Sequence, residues 1–190
     1  MCLNTNMKYL SIAHNPFSEH INRQLQKLVD KRMFHDNVLL QLLPIDDLRQ
    51  DINQDLAKYD LKIEHVLLFY RPTGSPIGTH VDSVADDGGV CNCSLVLPWM
   101  CDSGYSVYWE DGDFDLVLES PKGYRDVKYL AIKWNSEHQV CHEAKVNTPV
   151  VVRTHVPHGT YSVDSRLLLA TVRFAGNPSF EELSEKFAVE

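Results

Sequence analysis

The sequence predicts a mainly β protein, a sandwich or jelly roll with helices packed against one sheet, and three observations lead there. Two amphipathic stretches open the chain and a short one closes it. Between them, from about residue 61 to 175, the apolar period falls from that of helices to that of strands, and turn residues recur between about eight short apolar runs. A chain of 190 residues, 44% hydrophobic and 23% charged, is long enough to bury one core without staples. The expected organisation is one domain over 1–190: a helical part to about 60, a β core over about 61–175, and a short terminal helix.

Ile21, Leu25, Leu28 and Val29 repeat at helical spacing behind Ser18, which can cap the first turn, so 18–34 reads as a helix lying on a sheet. A second helix is expected over 46–59. There Leu48, Ile52 and Leu56 recur every four residues, and Asp46 and Asp47 suit the positive end. Leu61 to Tyr70 then reads as a strand that begins half exposed and ends buried. Gly74, Pro76 and Gly78 break it, and an Asp/Gly-rich loop at 86–89 leads into the apolar run Val90 to Leu97. Further strands are expected over 104–120 and 127–134, with Asp111-Gly112-Asp113 as a hairpin turn between Val107-Tyr-Trp109 and Phe114 to Leu118. Pro149 to Thr154 and Arg166 to Phe174 read as the last strands. Ser179-Phe-Glu-Glu182 is a capping box opening a helix to about Phe187.

Composition excludes several classes. A net charge of −8 argues against a large phosphate-binding surface, since nucleic-acid affinity rests on Lys and Arg neutralising phosphates. Lys122, Arg125, Lys128 and Lys133 are interleaved with acids and read as a solvated hairpin face. No apolar run is long enough to span a membrane, and the first residues lack the apolar core of an export signal, so a cytoplasmic protein with reduced thiols is expected. Cys91-x-Cys93 and Cys141-His142 lack the spacing of a zinc site. The acids around Gly112 fall short of a calcium loop.

The chemistry concentrates at His80-Val-Asp82. With nine His and sixteen Asp in the chain, His-x-Asp alone means little. On an extended strand, however, the two side chains project from one face and can grip one ion. Val156-Pro-His158 can supply a third ligand, with His155 as its rival, because Pro157 bends the chain between them. Two His and one carboxylate leave three positions of an octahedral metal open, the arrangement of the facial triad of non-haem Fe(II) oxygenases. His65 reads as structural, and His14, His20, His35, His138 and His142 as surface residues.

The order Tyr70, Gly74, His80, Asp82, His158, Arg166 resembles the 2-oxoglutarate and Fe(II)-dependent dioxygenases, most nearly their prolyl-hydroxylase-like branch, over about residues 61 to 175. The resemblance implies a double-stranded β-helix, a jelly roll of the kind that periodicity leaves as a sandwich. It implies Fe(II) held by His80, Asp82 and His158, with 2-oxoglutarate as cosubstrate, dioxygen as oxidant and ascorbate as an accessory reductant. Arg166 would hold the far carboxylate of the cosubstrate, and Tyr70 would donate to it. Asn92, Ser94 and Val96 alternate along the next strand on one face turned to the expected pocket, so Asn92 reads either as a binding residue there or as a strand residue satisfying the backbone. Arg173, an odd number of residues beyond Arg166, would then lie on the opposite face, structural or reaching solvent.

The substrate is expected to be a peptide, prolyl or amino-acid-like small molecule. Loops over 83–89 and 99–105, taken as the pocket rim, carry Asp86, Asp87, Trp99, Asp102 and Tyr105 but no Lys or Arg. Two other readings compete: a non-catalytic jelly-roll module that binds a metal or ligand, and an oxidative nucleic-acid demethylase, which the charge and the absence of an aromatic-and-basic strip disfavour.

Overall fold

The computed structural model describes residues 8–30, 39–72, 74, 77–83, 89–100, 104–119, 129–162 and 166–189. Helix α1 (Glu19–Asp30) buries Ile21, Leu25 and Val29, and the Ser18 hydroxyl accepts from the Ile21 amide. The rest of the stretch expected to be helical, 31–34, lies outside the described residues. The second helical stretch is a 3-10 turn, then α2 (Arg49–Leu56), then a second 3-10 turn ending on Asp60 at φ 54°. Helix α3 (Phe180–Lys186) is capped as expected, with the Ser179 hydroxyl accepting from the Glu182 amide at 3.1 Å. Among the described residues no helix is long and apolar enough to cross a membrane.

Twelve strands are described, in two six-stranded antiparallel sheets. They are β1 (Leu10–Ile12), β2 (Leu39–Leu42), β3 (Ile63–Arg71), β4 (Ile77–Val81), β5 (Cys93–Met100), β6 (Tyr105–Asp111), β7 (Phe114–Glu119), β8 (Tyr129–Trp134), β9 (Gln139–Val146), β10 (Val150–Arg153), β11 (His158–Tyr161) and β12 (Leu167–Phe174). The first sheet has the order β1-β10-β5-β12-β3-β2 and the second β7-β8-β4-β11-β6-β9. From β3 to β6 and again from β9 to β12, successive strands alternate between the sheets. That winding is a double-stranded β-helix, a jelly roll. Strands β1 and β2 come from the part read as helical and extend the first sheet at its two edges.

The hairpin expected at Asp111-Gly112-Asp113 does not form. Strand β6 pairs with β9, and β7 pairs with β8, so 105–119 and 129–146 run as one two-stranded ribbon whose inner end belongs to the jelly roll. Its outer end meets β4 through β8. The stretch at 112–113 is therefore a bend, and a Cβ on Gly112 would stand 3.0 Å from both the Trp134 ring and the His138 Cβ. The sequence cue for a bend and for a reversal is the same cluster of Gly and Asp. Lys122, Arg125 and Lys128 lie outside the described residues.

Alternation along each strand divides the core in two. On the outer face of the first sheet, Val66, Leu68, Tyr70, Cys93, Leu95, Leu97, Leu168, Ala170 and Val172 pack with the helical residues Ile21, Leu25, Ile52, Leu56 and Leu183. The opposite face, together with the inner face of the second sheet, forms the barrel interior around Val96, Tyr105, Val107, Trp109, Leu167 and Leu169. The second sheet turns its other face to solvent at Val140 on β9, and its edge strand β7 is exposed on both faces, at Leu116, Val117 and Leu118.

Candidate metal centre

Strands β4 and β11 are neighbours in the second sheet, and their register sets His158 directly opposite His80. The rings lie 4.6 Å apart, centroid to centroid. Asp82 follows β4 by one residue and keeps the inward direction of His80. Its amide donates to Thr154 O at 3.1 Å, and its carbonyl accepts from the Cys91 amide at 2.9 Å, so its backbone is pinned on both sides. One potential ligand atom from each of His80, Asp82 and His158 lies within 4.8 Å of the others, and all three residues are buried. Asp82 Oδ1 stands 3.3 Å from His80 Nε2.

The ring tautomers follow from the carbonyls behind them. His80 Nδ1 lies 2.8 Å from Gly78 O, and His158 Nδ1 lies 2.9 Å from Val156 O. A carbonyl only accepts, so each Nδ1 carries the proton and each Nε2 keeps its lone pair for an ion. Electrostatics agree with that donor set. Burial, then the neighbouring His80, pushes the His158 imidazole down to about 4, which keeps it neutral. Burial alone would raise the Asp82 carboxyl, but the charge of the neighbouring Arg173 holds it well below the usual range. Two neutral imidazoles and one carboxylate fit a first-row dication.

Arg173 sits inside the barrel, contrary to its expected place. It is 5% exposed, its Nη2 meets Asp82 Oδ2 at 2.9 Å, and its Nη1 donates to Ser83 O. Arg166 is exposed, at the head of β12 and away from the lining of the cavity. The two arginines thus have opposite faces, as their spacing requires, but the inward one is Arg173. Tyr70 is also reversed: it is 1% exposed and its ring packs in the helix-side cluster. Asn92 precedes β5, and its side-chain amide donates to Asn177 O at 2.9 Å, tying the chain to the loop after β12. His155 lies outside the cluster, its Nδ1 3.0 Å from Asn92 O.

A cavity of about 40 Å³ runs from the triad into the barrel, walled by Phe69, Val96, Tyr105, Val107 and Leu169, with Thr154, Thr160 and Thr171 as hydroxyl-bearing members. It has room for a few waters, so a five-carbon acid requires its walls to move. Among its described lining residues there is no Lys or Arg. Sequence reasoning passed over Arg71. It is half-buried, and its cross-strand partner Leu167 belongs to the interior cluster, so Arg71 shares the interior face with Phe69 at the end of β3 away from the triad. The inward parity of Phe69 is the signal for it, and that parity was not legible before β3 was placed.

The expected rim changes as well. Strand β5 starts beside Asp82 and runs away from it, so Trp99 and Tyr105 belong to the far end of the barrel. Trp99 packs against the helix-side cluster, and Tyr105 lines the cavity. Asp86, Asp87 and Asp102 lie outside the described residues. His142 is no surface residue: it is half-buried, stacks with Tyr9 and meets at a tilt the ring of Trp109, the cross-strand neighbour of His158.

No family model matches the chain, and no curated protein matches it. Among solved structures it is similar to HygX from Streptomyces hygroscopicus with nickel and 2-oxoglutarate bound, at 12% identity over 86% of this chain and 81% of that one, with a TM-score of 0.44. It is similar to YcfD, a ribosomal oxygenase from Escherichia coli in complex with cobalt and 2-oxoglutarate, at 10% identity over 92% and 42%, with a TM-score of 0.38. Vicilin from Corylus avellana (hazelnut) is similar at 16% identity over 83% and 36%, with a TM-score of 0.37, so the chain spans about a third of that protein's length.

Proposed function

We propose that the protein is an Fe(II)- and 2-oxoglutarate-dependent dioxygenase that hydroxylates a peptide, prolyl or amino-acid-like substrate in the cytoplasm, releasing succinate and carbon dioxide. The observation that carries this reading is the buried convergence of His80, Asp82 and His158 on the inner side of a jelly roll, with both imidazoles presenting Nε2. Bound there, iron would supply oxidation of a substrate C–H by dioxygen, driven by decarboxylation of the cosubstrate and with ascorbate as accessory reductant. The chain's own part would be to hold the ion through His80, Asp82 and His158.

The far carboxylate of 2-oxoglutarate needs a cation in an apolar barrel, and an arginine fork suits it. Arg71, on the interior face, serves that role better than the exposed Arg166. The net charge of −8 supports a neutral or cationic substrate over a polyanion. One observation favours the second reading, a metal-binding jelly roll without turnover: no Lys or Arg lines the cavity among the described residues.

Iron content after dialysis tests the centre. His80→Ala, Asp82→Ala and His158→Ala are expected to lose most of their iron with unchanged circular dichroism, and His155→Ala to keep it, because two remaining ligands hold a first-row dication poorly. Near-stoichiometric iron in the first three would sink the reading, and loss in His155→Ala alone would transfer the third ligand. Under anaerobic Fe(II), a cosubstrate-dependent visible band and slow succinate release separate the oxygenase from the binding module. Arg71→Ala should weaken 2-oxoglutarate while Arg166→Ala leaves it near normal.

A further inference from the structure

The two oxygens of Asp82 have different partners. Oδ1 faces His80 Nε2 at 3.3 Å, on the side where an ion would sit, and Oδ2 is taken by Arg173 Nη2 at 2.9 Å. Arg173 also donates to the carbonyl of Ser83, the residue after Asp82, so one guanidinium grips the carboxylate and the backbone that carries it. The clamp joins the end of β12 to the end of β4, across the mouth of the barrel. It is 6% exposed on both side chains, where charge is screened little by solvent.

We infer that Arg173 is a positioning residue of the metal centre: by occupying Oδ2 it keeps Asp82 a one-oxygen ligand, and its charge adapts the site to a doubly negative chelator. This rests on the reading of the triad as a metal centre that takes a 2-oxo dicarboxylate. A dication with Asp82 alone carries one net positive charge, and Arg173 restores the second beside it. A dianion bound through two oxygens then meets a site of equal and opposite charge. Without Arg173 the carboxylate is free to turn its second oxygen to the ion, which consumes a coordination position and leaves the site one charge poorer.

Those consequences differ from the loss of a packing residue. Removing Arg173 takes a cation away from the ion and frees a ligand oxygen, so metal binding should hold or tighten while chelation weakens. A residue with only a structural role would lower both together. Co(II) reports both quantities, because its visible absorption changes with coordination number and can be followed without turnover. Wild type, Arg173→Met and Arg173→Lys would each be titrated anaerobically with Co(II), then with oxalate and with 2-oxoglutarate.

The expected result is a Co(II) affinity in Arg173→Met equal to or above wild type, a changed visible spectrum, and oxalate binding weaker by roughly ten- to a hundredfold, the size of one unit charge about 6 to 12 Å away at an effective dielectric of about 20. Arg173→Lys should recover most of the oxalate affinity. Unchanged oxalate binding in the Met variant would overturn the inference, as would proportional loss of metal and oxalate that Lys does not rescue. Should the Met variant fail to fold, the Lys variant decides: oxalate affinity near wild type supports the charge role, and a loss as large as that expected for Met overturns it. Wild type that binds Co(II) and oxalate but not 2-oxoglutarate would sink the proposed function, and Arg173 would still be tested.

Discussion

The two sheets bury themselves differently. All eight residues of β12 in the first sheet are buried, because one face lies under the helices and the other looks into the barrel. In the second sheet β6 alternates buried and half-buried positions, and β9 is mostly exposed. A strand covered on one face shows its phase in its sequence, whereas a strand covered on both shows only that it exists. The candidate centre takes its imidazoles from the sheet with one covered face and the clamp on its carboxylate from the sheet with two. Its legibility divides along the same line.

The largest effect expected from this difference is on stability. Leu168 is fully buried on the outer face of the first sheet, within the helix-side cluster. Leu168→Ala should cost about 2 to 5 kcal/mol, from lost transfer energy and the cavity left behind. Urea unfolding would measure it, and a cost below about 1 kcal/mol would mean that the helices do not pack tightly on this sheet.

The same division explains what the sequence concealed. Tyr70 and Arg166 border uninterrupted apolar runs, where nothing in Leu-Leu-Phe-Tyr or Arg-Leu-Leu-Leu-Ala marks the inward positions, and both lie off the inner face expected of them. His80 and Asp82 escaped that ambiguity, since their shared face depends only on the spacing of two. The choice of His158 over His155 needed the strand after Pro157, and β11 is four residues long with half of them partly exposed. Helices α1 and α2 were legible because their stripes are amphipathic, and α3 because its cap is local chemistry. Strand β9 has no apolar alternation to mark it, because its exposed residues are largely polar, and the bend at Gly112 carries the same Asp and Gly chemistry as a reversal.

An intermediate effect should appear with pH, and it involves one buried His from each sheet. His65 lies on the inner face of β3 opposite Arg173, and burial, then the arginine's charge, pushes it down to about 4. His158 is held at about 4 as well, by burial and His80. Both values lie below the ordinary 6.5, so the unfolded chain binds more protons than the folded one between those limits. The neutral imidazoles therefore contribute their stability fully above about pH 6.5, and it is lost as pH falls from there towards 4. Each contributes on the order of 2 to 3 kcal/mol over that window. Urea midpoints of metal-free protein from pH 7.5 to 4.5 should fall steadily, and His65→Leu should remove part of the slope. A flat profile would show that at least one ring finds water or a partner when charged.

The smallest effect is also the sharpest comparison, because one substitution can be made on both sheets. Val140, on the edge strand β9, is 52% exposed, and Val151, on β10, is fully buried in the helix-side cluster. Valine to threonine keeps the β-branched shape and exchanges a methyl group for a hydroxyl, so strand preference changes little at either place. At Val140 the hydroxyl meets solvent, and Val140→Thr should move stability by no more than about 0.5 kcal/mol. At Val151 the same hydroxyl enters an apolar layer beneath the helices, where burying a polar group without a new partner costs about 1 to 3 kcal/mol. Urea denaturation of both variants gives the difference directly. Equal costs would mean that the outer face of the second sheet is covered in solution, and the contrast between a sheet with one buried face and a sheet with two would fail there.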